Sequence, residues 1–354
     1  MRRHTTIVVK ESACKAVAHR YSLERESEFP VTTQSAHCSA LKAAGYQRCH
    51  LSPYLPSLAV NLICEQQQSY VSRPGTDVCS CNPGVVGFYK TYMWTLYQTF
   101  IRRYPVWAVS HAGHCMPPET YDMIEDASVT EKEDVFGLNG QIEHKLAFLR
   151  KHVPRDTNLL LIGHSIGCYI ILEMMKRDPE LLELDKKAVK AVMLFPTIER
   201  MACSPQGKVM TPVLCRLRYA FYLPIFLLSL FPERLKVSIV RLALRNFYAV
   251  DTSIIPATVS LINVECAANG MYMVSQEMRL VVERDNATVR QHLSKLIFYY
   301  GATDHWCPVQ YYRDIRKDFP EGDIRLCERG IRHAFVLDAG EEMANMTAEW
   351  IFDD

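Results

Sequence analysis

The stretch Leu159-Leu160-Leu161-Ile162-Gly163-His164-Ser165-Ile166-Gly167 decides how this chain folds. Its first four residues form an unbroken apolar run, the pattern of a strand buried on both faces of a parallel sheet. The pentapeptide G-x-S-x-G follows at once, and a helical pattern extends from Ile166 to Lys176. Strand, sharp serine-centred turn and helix are the context of a nucleophile elbow, which stands a serine hydroxyl above the edge of a sheet. Glycines at 163 and 167 leave room for that strained turn. Taken alone, the pentapeptide also fits a glycine-bounded surface turn; the strand and helix around it point to a catalytic Ser165.

Outward from the elbow, strand-like and helix-like segments alternate from Asn82 onward, as in an α/β fold with a mainly parallel sheet covered on both faces. Helices are expected over 88–103, 138–152, 310–317 and 341–352, and strands over 105–110, 189–196, 293–300 and 323–327. Residues 79–354 are read as one domain. Residues 1–78 show no sustained period of 2 or 3.6 and are expected to form an atypical, irregular N-terminal segment, poorly ordered. The interval 199–290 breaks the alternation and is read as an apolar lid or cap insertion. Within it, the run from Tyr219 to Phe231 carries no charge, basic residues flank it (Arg216, Arg218, Arg234, Lys236), and a second apolar block covers 237–244. The run is too short for a bilayer span of about 20 residues. A hairpin lying in a lipid surface with its cations at the headgroups fits this composition, and so does a buried core helix.

Composition narrows the function classes. Lys and Arg number 40 against 39 Asp and Glu, so the chain carries no electrostatic footprint for a nucleic-acid partner. The 13 cysteines are odd in number and scattered, with one C-x-C (Cys79, Cys81) and no C-x-x-C. They read as reduced thiols of a cytosolic setting; no disulfide framework, metal site or cofactor is expected. The N-terminus lacks a signal-peptide apolar region, so the sequons at Asn286 and Asn345 are read as coincidental.

A serine hydroxyl is a weak nucleophile at neutral pH and needs a base, itself oriented by an acid. In elbow folds the partners follow in the order serine, acid, histidine, at the ends of later strands. The strand that begins at Leu296 ends in a turn carrying Asp304, and the strand Asp323 to Cys327 leads through a loop to His333, ahead of the last helix. Asp304 and His333 are therefore the expected acid and base. His305 shares the turn of Asp304 and is poorly placed to pair across the site. His164 packs beside the nucleophile, and His111 and His114 follow the strand ending at Ser110, where structural roles are favoured over lining the pocket mouth. His333 to Asp338 also matches the H-x-x-x-x-D pattern of glycerolipid acyltransferases, in which no serine elbow accompanies it. The oxyanion hole takes one N–H from Ile166, the residue after the serine. A second comes from the turn Asn82-Pro83-Gly84; Pro83 has no N–H, which leaves Asn82, with Gly84 behind it.

Several segments together resemble the lipid-droplet-associated hydrolase family: Asn82-Pro-Gly, Phe88-Tyr89, Pro105-Val-Trp-Ala-Val-Ser-His-Ala-Gly-His114, Gly137-Leu-Asn-Gly-Gln-Ile-Glu-His144, Gly163-His-Ser-Ile-Gly167, Leu194-Phe-Pro-Thr-Ile-Glu-Arg200 and Phe319-Pro-Glu-Gly-Asp-Ile-Arg-Leu326. The resemblance runs from about Asn82 to the C-terminus. It implies an α/β-hydrolase fold, with Ser165, Asp304 and His333 on the family's triad. It also implies a serine esterase of low activity acting on neutral lipid esters, cholesteryl ester foremost, at the lipid droplet and the cytosolic face of the endoplasmic reticulum. The apolar block 219–244 falls on the segment implied to reach the droplet. The front of the chain departs from the family. Where the family has an apolar strand and an Ile-Pro-Gly-Asn-Pro-Gly turn, Thr76-Asp-Val-Cys-Ser-Cys81 precedes Asn82. The first strands of the sheet are therefore expected to be missing or replaced. Loss of one oxyanion donor costs about 2.7–4 kcal/mol of transition-state stabilisation. Two further readings follow: acyl transfer through the same serine, and a catalytically weak or inactive droplet-binding protein.

Overall fold

Apolar strands without alternation need cover on both faces, and the chain provides it by laying helices between strands that all run the same way. The computed structural model describes residues 75–79, 84–114, 134–153, 158–179, 189–245 and 251–352; residues 1–74 and Asn82 lie outside them. Six described strands form one parallel sheet: β1 (Gly75–Cys79), β2 (Val106–Val109), β3 (Leu159–His164), β4 (Val189–Leu194), β5 (Leu296–Gly301) and β6 (Asp323–Cys327). Their spatial order is β2-β1-β3-β4-β5-β6, and every neighbouring pair is parallel. The chain steps outward from β1 to β2 and then returns past β1 to β3. Ligands of open α/β sheets sit at such a reversal, outside the carboxyl ends of the two strands that flank it.

The connecting helices are α1 (Lys90–Thr99), α2 (Leu138–His152), α3 (Ile166–Arg177) and, between β5 and β6, α10 (Val309–Asp318); α11 (Gly340–Phe352) closes the described chain. α1 packs against α11 and α2 against α3. β2 and β5 are buried along their whole length, and Trp107, Tyr92, Leu96, Ile142, Phe298 and Phe319 are among the large side chains sealed in the core. Most expected elements lie where the apolar pattern placed them, with shifts of one to three residues at their ends. The helix expected over 88–103 is shorter, because a 3₁₀ turn (Val86–Tyr89) precedes α1 and Phe100 ends it.

One expectation changes at the front. The N-terminal segment expected to be irregular through residue 78 supplies a strand from Gly75, so the sheet begins ahead of the expected boundary. β1 is also the strand whose sequence is too polar to announce itself. It is held from both sides: Val78 is opposite Ala108 of β2 and Ile162 of β3. Ladder hydrogen bonds to two neighbours override a weak local propensity.

The long interval between β4 and β5 is helical: α4 (Pro205–Arg216), α5 (Tyr222–Ser229), α6 (Glu233–Leu244), α7 (Ile255–Ser260), α8 (Val264–Leu280) and α9 (Asn286–Gln291). α4 and the segment Arg218–Ser229 are bent by 79° relative to each other, and no single described helix is long and apolar enough to cross a membrane. α5 buries none of its residues. Leu223 is 65% exposed and Leu230 63%, with Phe226, Leu227 and Phe231 also exposed, so the apolar run is a surface feature rather than a core helix.

Candidate active site

The turn after β3 is strained as an elbow requires. Ser165 sits at φ 56°, ψ −120°, a region that non-glycine residues rarely occupy. Its N–H donates to the Leu194 carbonyl (3.0 Å) and its own carbonyl accepts from Cys168 N–H (3.1 Å), which locks the turn between β4 and α3. Gly163 is needed for the same approach: a Cβ there would stand 2.9 Å from the backbone of Cys168. Ile166 opens α3, so its N–H is one of the helix-start donors without an intrahelical acceptor.

The three residues singled out as nucleophile, base and acid come together. His333 Nε2 lies 2.9 Å from Ser165 Oγ, and His333 Nδ1 lies 2.6 Å from Asp304 Oδ2. They arrive from the ends of β3, β5 and β6. The acid is fixed by its own turn: Trp306 N–H (2.7 Å) and Cys307 N–H (3.2 Å) donate to Oδ1, and the Cys307 thiol donates to Oδ2 (2.9 Å). Burial pushes the Asp304 pKa upward, but the His333 charge and the donors from His333, Cys307 and Trp306 outweigh it, leaving the carboxyl below its usual value. With Asp304 ionised, the donor to Oδ2 is His333 Nδ1–H, which leaves Nε2 as acceptor for the serine hydroxyl.

Asp304, Cys307 and His333 also bring ligand-type atoms within 4.8 Å of one another, a set able to hold a metal ion. Here those atoms are joined by hydrogen bonds. Burial, reinforced by the Asp304 charge, pushes the Cys307 thiol well above its ordinary pKa, which suits its part as donor to Asp304 Oδ2.

Other candidates sort themselves by contact. His305 is exposed, and among the described residues its carbonyl accepts from Gln206 N–H at the start of α4. Asp338 pairs with Arg332, not with His333, so the H-x-x-x-x-D pattern is not a working pair in this fold. His164 does more than pack beside the nucleophile. Tyr89 Oη–H donates to its Nδ1 (2.7 Å), and its Nε2–H donates to the backbone carbonyl of His333 (2.8 Å). One side chain thus ties the end of β3 to the loop that carries the base. Burial, then the neighbouring His333, pushes the His164 pKa down to about 3, so the ring is neutral and this tautomer is the one both bonds require.

Gly84 and the loop that follows β2 brace each other. Gly84 has φ +61°, and a Cβ there would meet the His111 ring at 2.0 Å. Its carbonyl accepts from His111 N–H (2.8 Å), and Val86 N–H donates to Ser110 Oγ (3.1 Å). Gln141 of α2 grips Ala112 through both N–H (2.8 Å) and carbonyl (3.0 Å), while buried Lys145 donates to the Ser110 carbonyl (3.1 Å). His111 and His114 are buried and pack edge-to-face. Burial, with Lys145 and the neighbouring histidines, holds His111 well below its usual pKa. Asn82, the expected second oxyanion donor, lies outside the described residues.

Sequence reading passed over Cys307, Thr197 and Tyr89. Thr197 Oγ1 stands 3.4 Å from Ser165 Oγ. Thr197 and Tyr89 meet the site through contacts across the fold, while Cys307 meets it from within the acid's own turn, three residues after Asp304.

Known proteins resemble this chain over most of its length. A sequence model of the lipid-droplet associated hydrolase family matches residues 76–336. The Gallus gallus lipid droplet-associated hydrolase is 60% identical over 273 residues, covering 77% of this chain and 83% of that protein. The Homo sapiens protein of the same name is 48% identical over 277 residues, with the same shares of 77% and 83%. A crystal structure from work on carboxylesterases of the thaumarchaeon Nitrososphaera gargenis superposes with a TM-score of 0.50 at 12% identity, over 79% of this chain and 90% of that one. That likeness concerns the fold, which is the α/β-hydrolase fold.

Proposed function

The chain belongs to the lipid-droplet-associated hydrolase family, and from that premise we propose that it is a serine hydrolase of lipid esters working at the droplet surface. The observation that carries the reading is the bonded chain Ser165–His333–Asp304, 2.9 Å and 2.6 Å, hung on a serine at φ 56°. In the proposed reaction, Ser165 Oγ attacks the ester carbonyl carbon as its proton passes to His333 Nε2. Asp304 holds Nδ1–H and stabilises the imidazolium that forms. The tetrahedral oxyanion is met by Ile166 N–H and by the turn that holds Asn82. Collapse breaks the bond to the alcohol, which leaves with the proton from Nε2. Water, deprotonated by the same nitrogen, then releases the acid from the acyl-enzyme.

Neutral lipid esters are the proposed substrate class, with cholesteryl ester first. The enzyme is proposed to work from the lipid droplet and the cytosolic face of the endoplasmic reticulum, docked through 219–244. Exposure of Leu223, Phe226, Leu227 and Leu230 supports that docking. The test is fluorophosphonate labelling and hydrolysis of emulsified cholesteryl ester by the purified chain beside Ser165→Ala and His333→Ala. Labelling and fatty-acid release that need both residues are the expected result. A labelled serine other than 165, or turnover that survives Ser165→Ala, would overturn the assignment. Product analysis with added sterol or glycerol acceptor separates hydrolysis from acyl transfer.

A further inference from the structure

The helices between β4 and β5 carry a charge that the rest of the chain does not share. From Lys208 to Arg245 there are seven Lys and Arg against a single acid, Glu233, whereas the whole chain has a net charge of +1. The element that exposes the apolar run is therefore strongly cationic, and the remainder of the protein is acidic. This asymmetry has a definite geometry on α6. Val240 is buried and Val237 and Leu244 are half-buried, so the helix turns that side inward. The side left outside is Arg234, Leu235, Ser238, Arg241, Leu242 and, just past the helix, Arg245. The spacing is three to four residues, one helical stripe. Leu235 and Leu242 form an apolar line two turns long, and arginines lie beside it at both levels. Among the described residues none of Arg234, Arg241 and Arg245 is paired with a carboxylate.

We propose that α5 and α6 form a docking surface for a phospholipid layer that carries anionic headgroups. The proposal rests on the lipid-surface reading above and adds the lipid chemistry that selects the surface. α5, with Leu223, Phe226, Leu227 and Leu230 exposed, supplies the apolar part that enters the acyl boundary. On α6 the two leucines enter at a shallower depth, and the arginines extend their stems along the apolar surface to place guanidinium groups at phosphate level. Guanidinium recognises phosphate and carboxylate oxygens in a bidentate manner, which suits phosphatidylserine and phosphatidic acid better than zwitterionic phosphatidylcholine. A neutral layer would satisfy the leucines and leave the cations with no partner stronger than water. The acidic remainder of the molecule would be repelled by the same surface, which orients the element towards it.

Each Lys or Arg near an anionic layer is worth about fivefold in partitioning, roughly 1 kcal/mol. Neutralising three should therefore weaken binding by roughly 100-fold. The experiment is flotation of the full chain with triolein droplets coated either by phosphatidylcholine alone or by phosphatidylcholine with phosphatidylserine. Each coating is tested at low and high salt. Two variants accompany the wild type: Arg234→Gln/Arg241→Gln/Arg245→Gln and Leu223→Ser/Phe226→Ser/Leu227→Ser. All six side chains are exposed or at the surface, and thermal melts verify that both variants fold. The expected result is tight, salt-sensitive binding to the anionic coating that the arginine variant loses and the apolar variant also weakens. Equal binding to both coatings would overturn the anionic selection while leaving the droplet-docking reading intact. A preference for phosphatidylserine that survives in the arginine variant would also overturn it, since the selecting cations would lie elsewhere. No binding of wild type to either coating would remove the docking reading, and this inference with it.

Discussion

Replacing His164 by phenylalanine tests whether a residue next to the nucleophile positions the base. The substitution keeps a ring among Phe195, Phe335 and Tyr89 but removes the donor to the His333 carbonyl. Leaving that buried acceptor unsatisfied costs about 1–3 kcal/mol at pH 7. The pH dependence gives a second, independent number. His164 titrates at about 3 in the native state against 6.5 when free, so between these values the unfolded chain binds the extra proton. Stability from this residue is complete above pH 6.5 and is lost as the pH falls towards 3. At pH 5 the loss is roughly 1.5 pH units at 1.36 kcal/mol each, about 2 kcal/mol. The His164→Phe protein has no such proton to bind, so its deficit against wild type should shrink by about 2 kcal/mol between pH 7 and pH 5. His111 and His144, which burial also holds low, titrate in both proteins and cancel in the difference, while His333 and Asp304 remain beside the substituted ring. Urea unfolding at the two pH values measures the deficit directly. The labelling rate of Ser165 by fluorophosphonate should fall about 100-fold, the scale of a 1 Å misplacement of a catalytic group. His164→Gln, whose amide can donate to the same carbonyl, should recover part of it. A phenylalanine variant that labels at the wild-type rate, or whose deficit is unchanged at pH 5, would refute the reasoning.

Further outcomes follow from single contacts. Asp304→Asn should lower ester turnover about 10⁴-fold, because the amide favours the wrong imidazole tautomer; a drop of less than tenfold with a short-chain chromogenic ester would remove Asp304 from the acid role. Gly84→Ala should destabilise the fold by more than the roughly 1–3 kcal/mol of a left-handed non-glycine residue, since its Cβ also strikes the His111 ring. His111→Ala in the same chain should recover part of that loss in a thermal melt, and no recovery would mean the contact is not the cause. Arg284→Met should cost about 1–3 kcal/mol, because buried Glu199 loses one of its two guanidinium partners (2.8 Å) and keeps the other, Arg200 (2.6 Å). Restoration by the added change Glu199→Gln would identify the under-paired carboxylate as the source.

Local pattern reveals a residue when its own neighbours in sequence explain why it is there. Ser165 is such a residue: four apolar positions before it and a helix after it require a tight turn, and the turn has φ 56°. Asp304 and His333 are readable one step further out, because each follows a strand and the order of strands decides where their loops meet. β1 fails this test in the opposite sense. Its pattern is weak because its stability comes from pairing with β2 and β3, residues about 30 and 80 positions away in the chain. The helix α5 is ambiguous for a related reason: an uncharged run reads the same whether protein or lipid covers it, and only its exposure in the folded chain separates the two.

The same logic separates the groups that carry the chemistry from the groups that aim them. A nucleophile, a base and an acid are restricted to a few residue types, so sequence order can find them. The aiming contacts use whatever donor or acceptor the fold brings near, backbone atoms included. His164 reaches a carbonyl 169 residues away, and the Cys307 thiol reaches the oxygen that His333 also uses. A substitution at His164 that preserved the G-x-S-x-G pattern would look harmless in the sequence, yet it would cut the link between nucleophile strand and base loop. The chemistry of this site is therefore written locally, and its precision is written in contacts that only the folded sheet creates.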